Sequence, residues 1–377
     1  MPFPFEAQRA LFPILAHKAQ LSSCSQSALA TPVADAIARY MASWQEQGMY
    51  WVGWGVALDQ AKAEFARLIG ADSGDIAAMS CVSDLASSVG NCLDFGGEKN
   101  GIVLGEIDFP SLGHVWLAQQ TRGASVTFVA GDGASAIALD DYARVIDQRT
   151  RLVSVSHVSY SNGFRQDIGA IAVLARASDA VLLVDAYQSV GAMQIDVVRD
   201  QIDILVCGAQ KYLLGCPGIA FMYVRRELAQ QMRPANTGWF GRVNPFAFDI
   251  RLLDYADGAR RFDTGTPPYI NAAAAGAGMA LLNSLDMAAV ESHIEYLSEV
   301  ALQAAREHGL RIASPLDPKR KGSNTAVYVD DSAAVEKRMA GAGFIVSARG
   351  PVIRIAPHFY NTAQEVARAM AALAKLA

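Results

Sequence analysis

The sequence predicts an α/β fold, with a mostly parallel seven-stranded sheet, helices on both of its faces and a smaller C-terminal α+β domain. Short apolar or β-branched runs alternate with helical stretches, which is the pattern of βαβ units. The 377 residues are 52% hydrophobic and 18% charged, as expected for a globular protein. After about residue 265 the pattern changes to long helices followed by short strands. These three observations together indicate two units of unequal size.

Seven apolar runs predict the strands of the large sheet. They lie at 76–79, 102–107, 125–129, 152–157, 181–184, 202–206 and 219–224. Helical periodicity precedes or separates them at 56–69, 83–92, 112–121, 141–146 and 168–177. Because helices connect successive strands, the connections favour parallel neighbours.

The C-terminal part predicts two helices, at 271–284 and 287–308, and then short strands at 326–329, 344–347 and 352–355. The last helix begins with Thr362 and Glu365, spaced as a capping box in which each side chain bonds the backbone amide of the other. We therefore expect a large domain over 15–265 and a small domain over 266–377, with residues 1–14 packing near the small one. No long Gly/Ser linker separates the two, so we expect tight packing.

Composition excludes several classes of function. A net charge of −5 without a basic run disfavours nucleic acid and anionic membranes as partners. Five cysteines without a C-x-x-C spacing indicate neither a disulfide framework nor a zinc site, and we expect no bound metal. No signal-peptide pattern begins the chain, and the longest apolar span, 272–282, is far shorter than the roughly 20 residues of a membrane helix. We expect a cytoplasmic protein.

Two predicted strands end near residues that carry chemistry. Asp185 follows the strand at 181–184, and Lys211 follows the strand at 202–206. Alone, each is more often a turn carboxylate or a solvated lysine. Together, at the carboxyl edge of a parallel sheet where ligands bind, they match the needs of pyridoxal 5′-phosphate. The lysine amine forms a Schiff base with the aldehyde, and the carboxylate keeps the pyridine nitrogen protonated.

The motifs around these residues extend this hypothesis. They are VDAYQ at 184–188, QKYLLGCPG at 210–218, FPS at 109–111, SHVSYSNG at 156–163, FDTGTP at 262–267 and RIAPHFYNT at 354–362. With these motifs the chain resembles the class V aminotransferase family of fold-type I pyridoxal-phosphate enzymes. That family includes cysteine desulfurases, kynureninases and isopenicillin N epimerase-like proteins.

The resemblance implies a set of cofactor contacts. Lys211 would be the Schiff-base lysine, with Gln210 beside it, and Asp185 the partner of the pyridine nitrogen. Gln188 would bond near the phenolic oxygen of the cofactor, and Phe109 would stack on its ring; an ordinary core phenylalanine is the alternative.

The phosphate and the substrate have their own implied residues. Val82 and Ser83 open a helix whose free amides suit a phosphate, although Ser83 as a plain N-cap residue fits equally. Thr266 would reach the phosphate of a neighbouring subunit, which implies a homodimer with a composite active site; a simple Gly/Pro turn is the alternative. Arg354 would bind the substrate carboxylate. Tyr160, which stands where many relatives have an asparagine near the cofactor, would also contact the substrate.

We therefore expect an enzyme that forms an external aldimine with a small amino acid and removes its α-proton through Lys211, as a transaminase or lyase. A kynureninase-like hydrolase, a C–S lyase and an epimerase remain alternatives, because all begin the same way. No cysteine lies between Thr325 and Arg354, so we expect no persulfide-type cysteine desulfurase. A Rossmann oxidoreductase is disfavoured because no G-x-G-x-x-G opens a βαβ unit. A non-catalytic relative is disfavoured by the joint presence of Lys211, Asp185 and Arg354.

Overall fold

A seven-stranded sheet forms the centre of the computed structural model, which describes residues 4–131 and 136–376. Its strands in chain order are β2 (Ile76–Met79), β3 (Gly101–Gly105), β4 (Ser125–Val129), β5 (Thr150–Ser156), β6 (Val181–Asp185), β7 (Ile204–Gly208) and β8 (Ala220–Val224), after a short β1 (Ala19–Gln20) elsewhere. The order across the sheet is β2-β8-β7-β6-β5-β3-β4. Strands β4, β3, β5, β6 and β7 run parallel, and only β8 is antiparallel to its neighbours β7 and β2. The predicted mostly parallel α/β fold is therefore confirmed.

Helices cover both faces of this sheet and continue into the C-terminal part. They are α1 (Glu6–Arg9), α2 (Thr31–Gln47), α3 (Trp51–Leu68), α4 (Val82–Cys92), α5 (Pro110–Ala118), α6 (Leu139–Ala143), α7 (Ile168–Ala177), α8 (Arg226–Gln231), α9 (Tyr269–Asn283), α10 (Met287–Glu307), α11 (Ser332–Gly341) and α12 (Ala363–Leu376). Among the described residues no single helix is long and apolar enough to cross a membrane. Helices α9 and α10 meet that criterion only when they are counted together, across a bend of 88°.

The central strands are apolar on both faces because both faces are covered. Along β5, Leu152 joins one core cluster and Val153 joins the other. Leu183 and Val184 of β6 alternate in the same way. Every residue of β7 is buried. This double burial explains why these strands are continuous apolar runs in the sequence rather than alternating ones.

The small unit contains a three-stranded antiparallel sheet in the order β11 (Ser347–Arg349), β12 (Val352–Ile355) and β9 (Thr325–Tyr328). Beside it, β1 pairs with β10 (Phe344–Ile345), so the N-terminal segment attaches to the small unit. The capping box of α12 is formed as predicted. The Thr362 hydroxyl accepts the Glu365 amide at 3.2 Å, and the Glu365 carboxylate accepts the Thr362 amide at 2.9 Å. The division into 15–265 and 266–377 stays a prediction.

Two local predictions differ from the structure. The predicted strand at 344–347 is split into β10 and β11, because its first half pairs with β1 and its second half with β12. Helix α2 has no counterpart among the predictions, and α3 begins at Trp51 rather than near residue 56. Glycines at 53 and 55 lower the local helix propensity, but packing of α3 against α9 outweighs it.

Candidate active site

A cavity of about 270 Å³ opens at the carboxyl edge of the large sheet, where the small unit and the N-terminal segment meet it. All of the predicted site residues except Thr266 line it. They are Val82, Ser83, Phe109, Tyr160, Asp185, Gln188, Gln210, Lys211 and Arg354. A larger cavity of about 570 Å³ lies beside α7 and contains none of the predicted site residues. The smaller cavity is therefore the candidate site.

Asp185 is the last residue of β6, and its backbone pairs with Ser156 of β5 and Val206 of β7. Its Oδ1 accepts the Tyr187 amide at 2.9 Å. Among the described residues, none donates a hydrogen bond to its Oδ2, which leaves that oxygen available to a ligand. Burial raises the pKa of Asp185, while the Tyr187 amide and the charge of Lys211 oppose the rise.

Lys211 follows β7, which ends at Gly208, so its side chain enters the cavity beside Asp185. Its carbonyl accepts the Ser27 hydroxyl at 2.6 Å, which ties the lysine loop to the N-terminal segment. Its Nζ lies 4.2 Å from the ring centroid of Tyr187 and 5.7 Å from that of Phe109. Burial lowers the pKa of Lys211, and the carboxylate of Asp185 works in the opposite direction.

Tyr187 is a cavity residue that the sequence analysis missed, although it lies inside the VDAYQ motif. Its hydroxyl donates to Gln210 Oε1 at 2.9 Å, and this hydrogen bond holds the Gln210 side chain in place. A Cβ atom at position 208 would collide with the Tyr187 ring. Position 208 therefore requires glycine, because any larger residue there would displace the Tyr187 ring.

Phe109 is 37% exposed and lies at the N-cap of α5, facing the cavity. Its ring meets the Tyr160 ring edge-on, with centroids 5.0 Å apart. The preceding residue, Asp108, is buried and accepts the amides of Ser156 at 2.9 Å and Gly105 at 3.1 Å. Asp108 thereby links the ends of β3 and β5, and burial raises its pKa to about 7.

Helix α4 begins at the cavity with Val82 and Ser83. The first amides of a helix have no intrahelical acceptor, and no side chain caps this end. The carboxylate of Asp84 is turned towards the Ser80 hydroxyl, with which it forms a hydrogen bond. Free amides and the positive end of the helix dipole make this a suitable place for a phosphate.

Arg354 is only 1% exposed, and its guanidinium donates hydrogen bonds to three other residues. One terminal nitrogen donates to the Tyr160 carbonyl at 2.7 Å, and the other donates to the hydroxyls of Ser25 at 2.9 Å and Ser347 at 2.6 Å. Its Nε is buried without a hydrogen-bond partner among the described residues. The guanidinium is thus fixed at the cavity with donor capacity to spare.

The N-terminal segment supplies part of the wall that the sequence did not predict. Cys24 and Ser25 line the cavity, and the Cys24 carbonyl accepts the Gln188 side-chain amide at 3.0 Å. No local motif marks these residues, because their place at the site depends on contacts with distant parts of the chain.

The predicted residue Thr266 and several aromatic and histidine side chains lie outside the cavity. Thr266 is exposed in the turn before α9, outside the cavity. Tyr50 and Trp54 line a separate groove against α9. Burial lowers the pKa of His157 to about 3 and that of His358 to about 4. Both histidines are therefore neutral near pH 7, and neither lines the cavity.

The residues present fit pyridoxal 5′-phosphate. The cavity offers a buried carboxylate with an open oxygen at Asp185 and an amine at Lys211. It also offers an exposed aromatic face at Phe109 and an uncapped helix start at Val82. These four features suit the ring nitrogen, the aldehyde, the ring face and the phosphate of the cofactor, in that order.

Comparison with known proteins gives consistent matches over nearly the whole chain. The family model for aminotransferase class-V matches residues 21–368. An uncharacterized aminotransferase, YcbU of Bacillus subtilis (strain 168), is 40% identical over 367 residues, covering 97% of this chain and 96% of that protein. A probable cysteine desulfurase of Methanothermobacter thermautotrophicus is 24% identical over 342 residues, covering 82% of this chain and 81% of that protein.

The fold is also found among solved structures. The apo structure of a cysteine desulfurase from Thermococcus onnurineus NA1 superposes with a TM-score of 0.89. It is 20% identical in sequence, and the superposition covers 100% of this chain and 98% of that chain. At this identity the likeness establishes the fold-type I architecture.

The exclusion of a persulfide-type cysteine desulfurase was wrong. Cysteine desulfurases are among the solved structures of similar fold, and a probable cysteine desulfurase is among the relatives of this chain. The exclusion considered only the segment between Thr325 and Arg354. In the folded chain Cys24 and Cys81, both distant from that segment in sequence, line the cavity together with Lys211. The cysteines that line the site therefore cannot be identified from that one segment of the sequence.

The motif-based expectation of the family is confirmed by the matched family model and by the relatives. The expected cofactor follows from the family and from neighbours that contain it. This chain belongs to the class V aminotransferases, fold-type I enzymes whose cofactor is pyridoxal 5′-phosphate.

Proposed function

We propose that this enzyme binds an amino acid by its carboxylate at Arg354 and removes the α-proton with Lys211, leading to transamination or elimination. The observation that carries the proposal is the placement of three groups on one small cavity. Asp185 ends β6, Lys211 follows the adjacent parallel strand β7, and Arg354 comes from the small unit. A substrate held by Arg354 would lie within the same cavity as the lysine amine.

Lys211 would hold the cofactor covalently in the resting enzyme and carry protons once substrate has replaced it. Both tasks require a neutral amine for part of the time. Burial and the nearby positive charge of Arg354 lower the pKa of Lys211, which raises its neutral fraction near pH 7. The rings of Tyr187 and Phe109 limit where the amine can move.

Bound pyridoxal phosphate supplies an electron sink for the negative charge left at the substrate Cα, provided that its ring nitrogen stays protonated. Asp185 would hold that proton through its free Oδ2. Its Oδ1 is already fixed by the Tyr187 amide, so the carboxylate has one orientation. Phe109 would keep the ring plane fixed, and the amides at the start of α4 would anchor the phosphate.

A second candidate outcome is cleavage of a carbon–sulfur bond. The observation that favours it is the pair of cysteines, Cys24 and Cys81, on the cavity wall. A thiol near the substrate side chain is the group that would accept a sulfur atom. Kynureninase-like hydrolysis and epimerisation share the first proton transfer and are further outcomes of the same test.

The direct test is to mix the pure holoenzyme with a panel of amino acids while following the cofactor spectrum, keto acid, ammonia and sulfide. Transamination converts the cofactor to its amine form and releases keto acid. Elimination releases ammonia and restores the starting spectrum. Release of sulfide or bound sulfur favours the second candidate. A spectrum that no amino acid changes would contradict the proposal.

The lysine is tested by Lys211→Ala, with the exposed Lys375→Ala as the matched control. We expect Lys211→Ala to lose the absorbance of covalently held cofactor and all measurable turnover, while Lys375→Ala behaves as wild type. Ordinary turnover in Lys211→Ala would remove the proposed mechanism.

We also propose a homodimer in which Thr266 of one subunit contacts the phosphate bound by the other. The exposed position of Thr266 outside its own cavity supports this arrangement. In the test, Lys211→Ala and Thr266→Asp subunits with different tags are co-expressed and the hybrid is isolated. A composite site predicts that the hybrid regains turnover that neither parent has, because one of its sites is intact. A hybrid as inactive as its parents would argue against shared sites.

A further inference from the structure

A second arginine, Arg349, lines the cavity beside Arg354. In the hairpin of β11 and β12, Ser347 stands opposite Arg354, and Arg349 stands opposite Val352. Residues two apart on a strand share a face, so Arg349 lies diagonally across from Arg354 on the same face of the sheet. Such diagonal neighbours lie roughly 7–8 Å apart, within reach of long side chains. The turn between the strands contains Gly350 at φ 52°, which suits a tight hairpin and fixes this register.

The two arginines differ in their partners. Arg354 is buried and held by Ser25, Ser347 and Tyr160. Arg349 is exposed at the mouth of the cavity, and within residues 4–131 and 136–376 no carboxylate lies within ion-pair distance of it. A carboxylate does lie close to its strand, that of Glu336, but it accepts the Ala348 backbone amide at 2.8 Å. Arg349 thus has an unmatched positive charge at the site.

The remaining charges of the cavity do not balance Arg349. The acidic side chain that lines it is Asp185, which the proposed function assigns to the ring nitrogen of the cofactor. The cofactor phosphate is assigned to the start of α4, which belongs to the large sheet rather than to the small unit. The α-carboxylate of an amino acid is assigned to Arg354. One cation therefore remains at the end of the cavity where a substrate side chain would lie.

We infer that Arg349 binds an anionic group on the substrate side chain, so that the enzyme prefers acidic amino acids, with a carboxylate or sulfinate beyond the α-carbon. This inference rests on the proposed function and narrows its substrate class. The planar guanidinium forms paired hydrogen bonds with a carboxylate or a sulfinate, which a neutral side chain does not offer. The preference arises at the binding step, before any proton is moved.

The test is an equilibrium titration of the holoenzyme, in which the cofactor spectrum reports bound amino acid. L-Aspartate, L-glutamate and L-cysteine sulfinate are compared with L-alanine. We expect Arg349→Gln to weaken binding of the acidic amino acids at least about tenfold, the usual scale of a charge-assisted contact, and to leave alanine within about twofold. Arg349→Lys should restore part of the lost affinity, because it keeps the charge but not the paired geometry.

The matched control is Arg67→Gln, which removes an arginine whose side chain is 69% exposed and whose nearest carboxylate is 4.0 Å away. It should bind every amino acid as wild type does. Equal weakening of alanine and the acidic amino acids by Arg349→Gln would overturn the inference, because Arg349 would then act on the shared α-carboxylate. Unchanged binding of all of them would overturn it as well. In both cases the spectral response to alanine would leave the proposed function intact, whereas a wild-type spectrum that no amino acid changes would remove both.

Discussion

The two walls of the cavity are built in different ways. On the sheet side, Asp185 ends β6 and Lys211 follows the neighbouring strand β7, and the hydrogen-bonded pairing of these strands brings the two residues together. On the small-unit side, Arg354 is held by Ser25, which lies 329 residues away, and by Tyr160, which lies 194 residues away. Strand pairing thus fixes the groups proposed for the cofactor. Packing of separate segments fixes the groups proposed for the substrate.

The strongest test of the sheet side is Asp185→Asn, which keeps the shape and removes the charge. We expect turnover to fall by about 10²–10³-fold, the usual effect of losing a preorganised electrostatic contact, together with faster loss of cofactor on dialysis. The control is Asp179→Asn, because that side chain is 97% exposed and pairs with Lys99 at the surface. Turnover near wild type in Asp185→Asn would contradict the proposal that the sheet-side wall supplies the cofactor contacts.

The small-unit side is tested by Arg354→Gln. We expect KM for amino acids to rise by about 10–100-fold, while the cofactor spectrum without substrate is unchanged, because the lost contact is charge-assisted and belongs to substrate binding. The measurement is steady-state kinetics alongside absorbance. A variant that loses its cofactor but keeps its KM would show that the two walls are not separate in function.

Ser25→Ala tests whether the N-terminal segment positions Arg354. The Ser25 hydroxyl accepts a hydrogen bond from Arg354 and lies 2.8 Å from the Ser347 hydroxyl. Losing it should raise KM by about 2–10-fold with little change in kcat. The control is Ser284→Ala, because the exposed Ser284 hydroxyl donates to the nearby Leu281 carbonyl, far from the cavity residues in sequence. An equal effect in both variants would assign the change to stability rather than to positioning.

The smallest expected effect is on the unfolding free energy. It concerns Asp108, which joins β3 to β5 beneath the sheet-side wall. Its pKa is about 7 in the folded protein and near 3.8 when exposed, so between those values the unfolded chain releases a proton that the fold retains. Stability therefore falls as pH rises through this window. We expect the unfolding free energy of the cofactor-free wild type, measured relative to Asp108→Asn, to decrease from about pH 4 to about pH 7. Parallel pH profiles from urea unfolding would contradict this.

The contrast between the two walls also explains which site residues could be predicted from the sequence. Asp185 and Lys211 were identifiable because an apolar run marks each strand and both residues come shortly after such a run, at the carboxyl edge of the sheet. The capping box of α12 was identifiable because it is local. Ser25, Cys24 and Arg349 carry no local signal, since they reach the site only when distant segments pack.

Neighbouring residues within a motif were missed for another reason. Tyr187 lies between Asp185 and Gln188, but its role depends on the space left by Gly208, which belongs to a different strand. The split of β10 from β11 likewise depends on which partner each half finds. Pairwise constraints of this kind are not visible in a single run of residues.

The open amides at the start of α4 also bear on how the purified protein is handled. A helix start proposed to hold the cofactor phosphate would accept inorganic phosphate or sulfate as well, since all present similar oxygens. Buffers that contain these anions should slow reconstitution of the cofactor-free enzyme, and an amine buffer with chloride should not. The choice of buffer would thus set the cofactor concentration needed to prepare fully loaded enzyme.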